Sequence, residues 1–289
     1  MKTITTLAAC AASLLLSAVT PAFAAELKLP QDLPPYGADK PVPVPKINKH
    51  TLANGLTVWI VADDEGMPKA NFVLATRGGK AHDSRSLNGL SEIMAGTMDE
   101  GTKSRSSIQI AQELQSLGAS LGGGAGQEGT TVSASGLSAN AGKILQLLAD
   151  VARNPTFPDA EVNLAKMNAL QSLKAAKAQP GYQAGVAFDS AVFGTHPYGT
   201  GELTEASIMA VTPQALRELH AKRFRPDRAL LVATGRVNAA EVLRLANEYF
   251  GDWKAEGAAE GEIAPAPTTA AAARVFVPRD NSVQSAIRI

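Results

Sequence analysis

Alternating apolar and polar residues predict several β-strands along the chain. Runs in which β-branched or other apolar residues recur at every second position are typical of strands with one buried face. Such runs occupy residues 57–62, 72–76, 130–135 and 229–234. The pair Asn54-Gly55 precedes the first run and favours a tight turn that leads into it.

Helical signals alternate with these strands. A Ser, Thr or Asn that is followed by proline, or by Glu or Gln three residues later, is typical of a helix start, and glycine is typical of a helix end. Predicted starts fall at Ser106, Thr212 and Asn238, and predicted ends at Gly118, Phe224 and Gly251. A further helix is indicated by Ile144, Leu147, Leu148 and Val151, which share one helical face.

This order of elements predicts an α+β fold, with an antiparallel or mixed sheet and helices packed on one of its faces. A hydrophobic content of 45% suits a globular protein with a sizeable core. Lys and Arg together number 27, and so do Asp and Glu. This balance gives no electrostatic footprint for binding nucleic acid or an anionic membrane.

The N-terminus has the pattern of a secretory signal peptide. Lys2 is followed by an apolar stretch at 7–19 and by Ala22-Phe23-Ala24, a small-residue pattern typical of cleavage after Ala24. The apolar stretch is too short for an ordinary membrane span. We therefore expect a periplasmic or secreted protein. Cleavage before Cys10 would leave hardly any hydrophobic signal, so a lipoprotein is not expected, and the sole cysteine is lost with the signal.

The segment 89–102, Gly-Leu-Ser-Glu-Ile-Met-Ala-Gly-Thr-Met-Asp-Glu-Gly-Thr, carries most of the functional argument. Its frame resembles the active-site helix of the pitrilysin/insulinase family of zinc metallopeptidases, which bears the inverted motif H-x-x-E-H. In that motif two histidines bind the zinc ion and the glutamate activates a water molecule. Counted back from Gly101-Thr102, Glu92 and Gly96 stand at the histidine positions and Ala95 at the glutamate position.

The third zinc ligand of that family is a glutamate on a later helix. When this chain is aligned on Pro180, Gln171 and Ser172 occupy that region. The histidines, at positions 50, 82, 196 and 220, lie too far apart in sequence to form a local pair. The resemblance thus implies a member without the zinc motif, with no metal and no cofactor of its own. A site assembled by folding from dispersed ligands is the alternative.

Other segments extend the resemblance over about 46–289. They are the Asn54-Gly55 turn, the strand exit Arg77-Gly78-Gly79, the segment Gly-Thr-x-x-Arg-Ser from Gly101, the loop His196-Pro197-Tyr198-Gly199, and Phe224-Arg225-Pro226. The family fold that they imply is a LuxS/mitochondrial-processing-peptidase-like half-domain. Asp99 and Glu100 could pair as acid and base, but adjacent helix residues do not face each other, so we expect two solvated charges.

The chain divides into five predicted parts. A signal peptide at 1–24 is followed by a proline-rich extended lead-in at 25–46 and by the N-terminal half-domain of the family at 47–256. An Ala/Pro-rich linker is predicted at 257–273. Residues 274–289 echo the strand-turn-strand pattern of 57–76. They are expected to begin a second half-domain that is truncated.

The predicted function is that of a non-catalytic subunit of an exported metallopeptidase. Whether the chain is an enzyme is left open, because the family is catalytic but this chain is expected to be inactive alone. It would bind peptides and help to enclose them for a zinc-bearing partner subunit. The alternatives are an active zinc metalloendopeptidase with unrecognised ligands, a free-standing periplasmic peptide-binding protein, and a decayed fragment.

In the family, a strand edge just after the motif helix contacts peptide, and here it falls at a glycine-rich segment. A pliable peptide-contact strand and a flexible turn are equally compatible with so many glycines. The candidate peptide- or partner-binding residues are Gly122, Gly123, Gly124, Ala125, Gly126, His196 and Tyr198. His196 also has a structural interpretation, as a hydrogen-bonded loop residue.

Overall fold

The computed structural model describes residues 37, 44–269, 271, 274–280 and 283–289. All elements below belong to the compact unit Pro45–Ile289. The predicted signal peptide lies outside the described residues, as does most of the lead-in. No helix in the described ranges is long and apolar enough to cross a membrane.

The unit is built on a mixed sheet whose spatial order is β1-β2-β6-β3-β5-β4. Its strands are β1 (Asn48–Thr51), β2 (Thr57–Ala62), β3 (Lys69–Arg77), β4 (Ser120–Ala125), β5 (Gly129–Leu137) and β6 (Ala229–Gly235). β2 and β6 run parallel and every other neighbouring pair is antiparallel. The strands predicted at 57–62, 72–76, 130–135 and 229–234 are confirmed.

The longer helices are α1 (Leu90–Gly96), α2 (Ser107–Leu117), α3 (Ala141–Arg153), α4 (Asp159–Lys177), α5 (Pro180–Phe193), α8 (Pro213–Arg223) and α9 (Ala239–Phe250). Two short helices, α6 (Pro197–Thr200) and α7 (Glu205–Ala210), lie between α5 and α8. Short 3-10 turns occupy Lys80–His82, Arg85–Leu87, Ser138–Asn140 and Pro226–Arg228. The capping box of Ser106 with Gln109 is present, and the side chains of Thr212 and Asn238 cap α8 and α9.

One face of the sheet is covered by helices, as predicted. Its buried side chains alternate along the strands and include Ile60, Phe72, Leu74, Val132 and Leu231. Helices α1, α3 and α9 pack on this face, and α3 contributes Ile144, Leu147, Leu148 and Val151, none of which is exposed. The opposite face carries partly exposed residues, because a strand directs successive side chains to opposite sides.

Glycines permit two close approaches that position the site. Gly55, with φ of +92°, lies in the β1–β2 turn, and the Asn54 side chain ties that turn to the end of α9 by donating to the carbonyls of Phe250 and Trp253. At the exit of β3, a Cβ on Gly79 would lie 2.4 Å from the carbonyl oxygen of Gly126. The strand exit therefore closes against the β4–β5 turn only because residue 79 has no side chain.

Candidate functional site: the cleft between α1 and α4

α1 presents two different faces. Ile93, Met94 and Ala95 are buried in the core, whereas Glu92 and Gly96 are exposed. The helix begins after Gly89, whose φ of +98° is a left-handed conformation that disfavours any side chain. Since residues four apart on a helix lie on the same face, Glu92 and Gly96 border the same surface.

That surface forms one wall of a cleft of about 390 Å³, and α4 forms the other. Ser172 lines this cleft together with Glu92 and Gly96, whereas Gln171 is exposed and is not among the lining residues. Folding thus brings together three of the positions that sequence comparison assigned to metal ligands. Of the two candidates for the third ligand position, Ser172 is the one that faces the cleft.

These residues do not fit a zinc ion. A protein zinc site needs about three thiolate, imidazole or carboxylate donors. Glu92 supplies one carboxylate, Gly96 has no side chain, and Ser172 offers a neutral hydroxyl. Within the part of the chain that the structure describes, no group of three or more His, Cys, Asp or Glu residues is arranged to hold a metal ion.

Ala95, at the position of the general base, faces away from bulk solvent and supports β4. The residue is fully buried, and a Cβ on Gly123 would lie 2.2 Å from the Ala95 carbonyl oxygen. β4 therefore crosses directly over α1 only because position 123 is a glycine. Ala95 offers no proton acceptor on its side chain, so it supplies no base for water activation.

The glycine-rich segment forms the strand β4, which settles its secondary structure in favour of the strand prediction. Gly122, Gly123, Gly124 and Ala125 belong to β4, and Gly126 lies in the turn that follows. Within the described residues, β4 is the last strand of the sheet, and its one strand partner is β5. Contact of this edge with a peptide stays a prediction.

His196 and Tyr198 are held by contacts within the chain. The Nδ1 atom of His196 accepts from the backbone N–H of Tyr198 at 3.3 Å, and its Nε2 atom lies 2.9 Å from the carbonyl of Ala264. The Tyr198 hydroxyl donates to the Glu128 carboxylate. The structural interpretation of His196 is thereby confirmed, while a role of either residue in peptide or partner binding stays a prediction.

A buried cluster, Asp83–Ser91–Arg223, fixes the start of α1. The Asp83 carboxylate accepts from the backbone N–H of Ser91 at 3.0 Å and from its hydroxyl. Arg223, at the end of α8, donates to the Ser91 hydroxyl and lies 3.5 Å from Asp83. Burial raises the pKa of Asp83, while the hydrogen bonds from Ser91 and the charge of Arg223 oppose that rise.

A second polar clasp, Thr102–Arg105–Asp150, follows α1. The Asp150 carboxylate on α3 accepts from the Thr102 hydroxyl and from Arg105, each at 2.7 Å, and from the Ser104 hydroxyl at 2.8 Å. Burial raises the pKa of Asp150, but the hydrogen bonds from Thr102, Ser104, Asn154 and Arg105 outweigh it and hold the pKa below its usual value. These contacts give a structural role to the Gly-Thr-x-x-Arg-Ser segment.

The prediction that Asp99 and Glu100 are solvated charges is wrong. Both residues are half-buried. Burial raises the pKa of Asp99. Burial also raises the pKa of Glu100, and the neighbouring carboxylates of Asp99 and Glu161 add to the effect. The turn between α1 and Gly101 packs against the rest of the fold. The positions of adjacent residues on a helix do not predict this burial.

The first part of the predicted linker is held against the unit by side-chain contacts. Glu260 pairs with Arg223 at 2.8 Å, and Glu262 pairs with Arg228 at 2.8 Å. His82 lies 3.2 Å from the Gly261 carbonyl. Residues 257–264 form no helix or strand, but these contacts anchor them beside the cluster that positions α1.

Comparison with known proteins identifies the family. The family model described as "Insulinase (Peptidase family M16)" matches residues 58–200, and the model described as "Peptidase M16 inactive domain" matches residues 210–289. Together they cover most of the chain. The chain therefore belongs to the M16 (insulinase) family of peptidases, as the resemblance implied.

Curated relatives include subunits of larger assemblies. The chain is 29% identical to "Cytochrome b-c1 complex subunit 1, mitochondrial" of Caenorhabditis elegans over 72% of its own length and 44% of the relative. It is 24% identical to "Mitochondrial-processing peptidase subunit beta" of Bos taurus over 72% of this chain and 42% of that protein. The chain thus spans less than half the length of these relatives.

The fold is also that of solved M16 structures. A crystal structure described as the peptidase M16 inactive domain from Pseudomonas fluorescens has a TM-score of 0.69 and 24% identity, covering 77% of this chain and 54% of that chain. The periplasmic protease PqqL from Escherichia coli has a TM-score of 0.69 and 18% identity, covering 77% of this chain and 25% of that protein. At these identities the likeness establishes the fold alone.

Proposed function

We propose that this chain is a non-catalytic subunit of an exported M16 metallopeptidase. The observation that carries the proposal is the composition of the cleft. Glu92, Gly96 and Ser172, which stand at the metal-ligand positions of the family, line it from α1 and α4. With one carboxylate and no imidazole or thiolate, this set gives no basis for a bound zinc ion. Zinc would belong to a partner subunit, as would the base that activates water.

The contribution of this chain would be to bind peptide and to enclose it. The edge strand β4 lies directly over α1, so a peptide that adds to the sheet at β4 would pass beside the cleft. Edge strands bind extended peptides by continuing the hydrogen-bond ladder. Relatives that are named as subunits support a role in an assembly, and we propose a zinc-bearing M16 subunit as the partner.

The test measures cleavage of a fluorogenic peptide by three samples: the full chain alone, a zinc-bearing M16 protein from the same organism alone, and their equimolar mixture. We expect no cleavage by the chain alone and a several-fold higher rate in the mixture than with the partner alone, abolished by a zinc chelator. Chelator-sensitive cleavage by the chain alone would overturn the proposal in favour of an active peptidase. Peptide binding without any effect on the partner would favour a free-standing binding protein.

A further inference from the structure

The strap, residues 257–264, is an irregular segment that lies against the unit and forms no helix or strand. Side chains from separate parts of the fold contact it. They are His82 in the 3-10 turn after β3, His196 at the start of α6, Arg223 at the end of α8 and Arg228 in the 3-10 turn before β6. The strap therefore joins several elements that lie far apart in sequence.

Two histidines bind backbone carbonyls of the strap. The Nε2 atom of His82 lies 3.2 Å from the Gly261 carbonyl oxygen, and that of His196 lies 2.9 Å from the Ala264 carbonyl oxygen. In both rings the Nδ1 atom accepts from a backbone N–H, so the ring hydrogen is on Nε2 and is donated to the strap. Both carbonyl contacts are exposed, so they exchange for bonds to water at little cost.

The strap buries little apolar surface. Its residues are exposed except for Glu260 and Ile263, which are half-buried. The Glu262 side chain, which pairs with Arg77 and Arg228, is 72% exposed, and such surface ion pairs contribute little to stability. Segments with few buried contacts open before the core of a protein does. The strap is thus an element that can leave its place while the sheet and its helices stay folded.

The exception is the contact between Glu260 and Arg223, whose side chains are 19% and 0% exposed. The Glu260 carboxylate accepts from Nε of Arg223 at 2.8 Å and from Nη2 at 3.2 Å, a two-bond geometry that fixes the guanidinium plane. The absence of a side chain at Gly78 makes room for it, because a Cβ there would lie 2.5 Å from the Glu260 Oε2 atom. Arg223 and Gly78 therefore form a slot for one carboxylate, which Glu260 fills.

Arg223 links this slot to the start of α1. With Nε and Nη2 held by Glu260, the Nη1 atom donates to the Ser91 hydroxyl, and Nη2 also donates to the Gly79 carbonyl at 3.1 Å. The Asp83 carboxylate lies 3.5 Å from Arg223. Departure of Glu260 consequently leaves no buried charge without a counter-charge, which makes release of the strap feasible. It does remove the bonds that aim Nη1 at Ser91.

We propose that the strap is a releasable device that orders the start of α1. When it is seated, Glu260 fills the carboxylate slot and positions Arg223 on Ser91. When it is released, Arg223 turns away from Ser91 and the first turn of α1 loosens. Because α1 forms one wall of the cleft, the state of the strap reaches the cleft. The inference is independent of the proposed function, since it requires neither a peptide nor a partner subunit.

Hydrogen exchange of the full chain, followed by mass spectrometry, tests the proposal. In Glu260→Gln we expect the amides of residues 89–96 to exchange at least about tenfold faster, because a charge-assisted contact is lost, while those of α9 stay unchanged. Glu256→Gln is the matched control, since Glu256 is an exposed glutamate one residue before the strap. Exchange of residues 89–96 at the unaltered rate in Glu260→Gln would overturn the inference.

A second background tests whether the effect passes through Arg223 and Ser91. In Ser91→Ala the hydroxyl that Arg223 contacts is absent, so adding Glu260→Gln should accelerate exchange of residues 89–96 by less than about twofold. A tenfold acceleration in that background would contradict the route through Arg223. Glu260→Asp replaces Glu260→Gln should the latter fail to fold, as judged by circular dichroism. Its shorter carboxylate cannot hold both nitrogens, so we expect at least about threefold faster exchange, and no change would overturn the inference.

Discussion

The Asp83–Ser91–Arg223 cluster and the cleft between α1 and α4 both involve α1, but they differ in the kind of contact they make. The cluster is buried and joined by charge-assisted hydrogen bonds, with side-chain exposures of 0% for Arg223 and 1% for Asp83. The cleft is partly open, and its polar side chains have no partners among the described residues. The position of α1 is therefore set by contacts outside the metal-ligand positions, so the helix keeps its place without a set of metal ligands.

The largest expected effect comes from breaking the cluster with Arg223→Met. This change leaves the Asp83 carboxylate buried without its positive neighbour, and removal of one partner of a buried pair typically costs about 3–5 kcal/mol. Urea denaturation followed by circular dichroism measures the loss. Arg244→Met is the control, because the Arg244 side chain is 58% exposed and its pairs with Glu241 and Glu248 are worth at most about 1 kcal/mol. Equal losses in both variants would contradict the account of the cluster.

The next effect concerns His220, which is half-buried, has ring contacts with Phe224 and Phe157 and lies 2.8 Å from the Ala152 carbonyl. Burial lowers the pKa of His220 to about 4. The unfolded chain, with an ordinary pKa near 6.5, therefore binds this proton more readily. The contribution of neutral His220 to the free energy of unfolding is therefore fully present above about pH 6.5. It falls by up to about 3 kcal/mol as the pH drops to 4.

Urea denaturation at pH 7 and at pH 4.5 tests this prediction. His220→Gln should remove most of this pH dependence, although it is expected to lower stability at pH 7. His50→Gln is the control, since His50 is exposed on β1 and should leave the pH dependence intact. The same pH dependence in His220→Gln and in the unaltered chain would contradict the prediction.

A smaller effect is expected from Asp150→Asn in the clasp that follows α1. The amide replaces the charged carboxylate that accepts from Arg105 at 2.7 Å, and hydrogen bonds to charged groups contribute about 1.5–3 kcal/mol. Thermal and urea unfolding measure the loss. Asp252→Asn, whose side chain is 79% exposed, is the matched control. A loss no greater than that of the control would show that the clasp does not hold the segment after α1.

The smallest effect on stability is expected from restoring ligands to the cleft. The triple variant Glu92→His, Gly96→His and Ser172→Glu changes exposed positions, so the free energy of unfolding should change by less than about 1 kcal/mol. Because these positions share the cleft, the variant should acquire zinc, which elemental analysis would detect. A variant that folds but binds no zinc would indicate that α1 and α4 do not hold these positions in ligand geometry.

Local rules predicted the elements that depend on neighbours in sequence. The Ser106–Gln109 capping box and the Asn238 cap lie within one helical turn, so their signals are complete in the sequence. The alternation of apolar and polar residues in β2, β3, β5 and β6 could be recognised in the sequence for the same reason. The secondary structure of β4 was ambiguous because a run of glycines shows no alternation of apolar and polar side chains. Its strand conformation depends on pairing with β5.

The Asp83–Ser91–Arg223 cluster that fixes α1 was not predictable in this way. Asp83 and Ser91 lie 8 residues apart, but Arg223 lies 132 residues from Ser91. No spacing rule links such residues, and only folding brings them together. The same holds for the contacts of Glu260 and Glu262, which turn the start of the predicted linker into an anchored segment.

Alignment on short motifs identified part of the cleft lining. Glu92, Gly96, Gln171 and Ser172 were assigned to ligand positions from Gly101-Thr102 and Pro180, and all of them except Gln171 line the same cleft. The apolar character of that cleft was missed, because Leu203 and Ile208 reach it from a loop and a short helix that carry no motif.

We propose that this cleft holds no metal ion. The most direct test is to equilibrate the purified full chain with zinc in competition with a chromophoric chelator, with the triple-ligand variant measured in parallel. We expect no stoichiometric zinc binding by the unaltered chain and about one zinc ion per chain for the variant. One zinc ion bound per unaltered chain, lost on Glu92→Gln, would contradict the account and place a metal in the cleft.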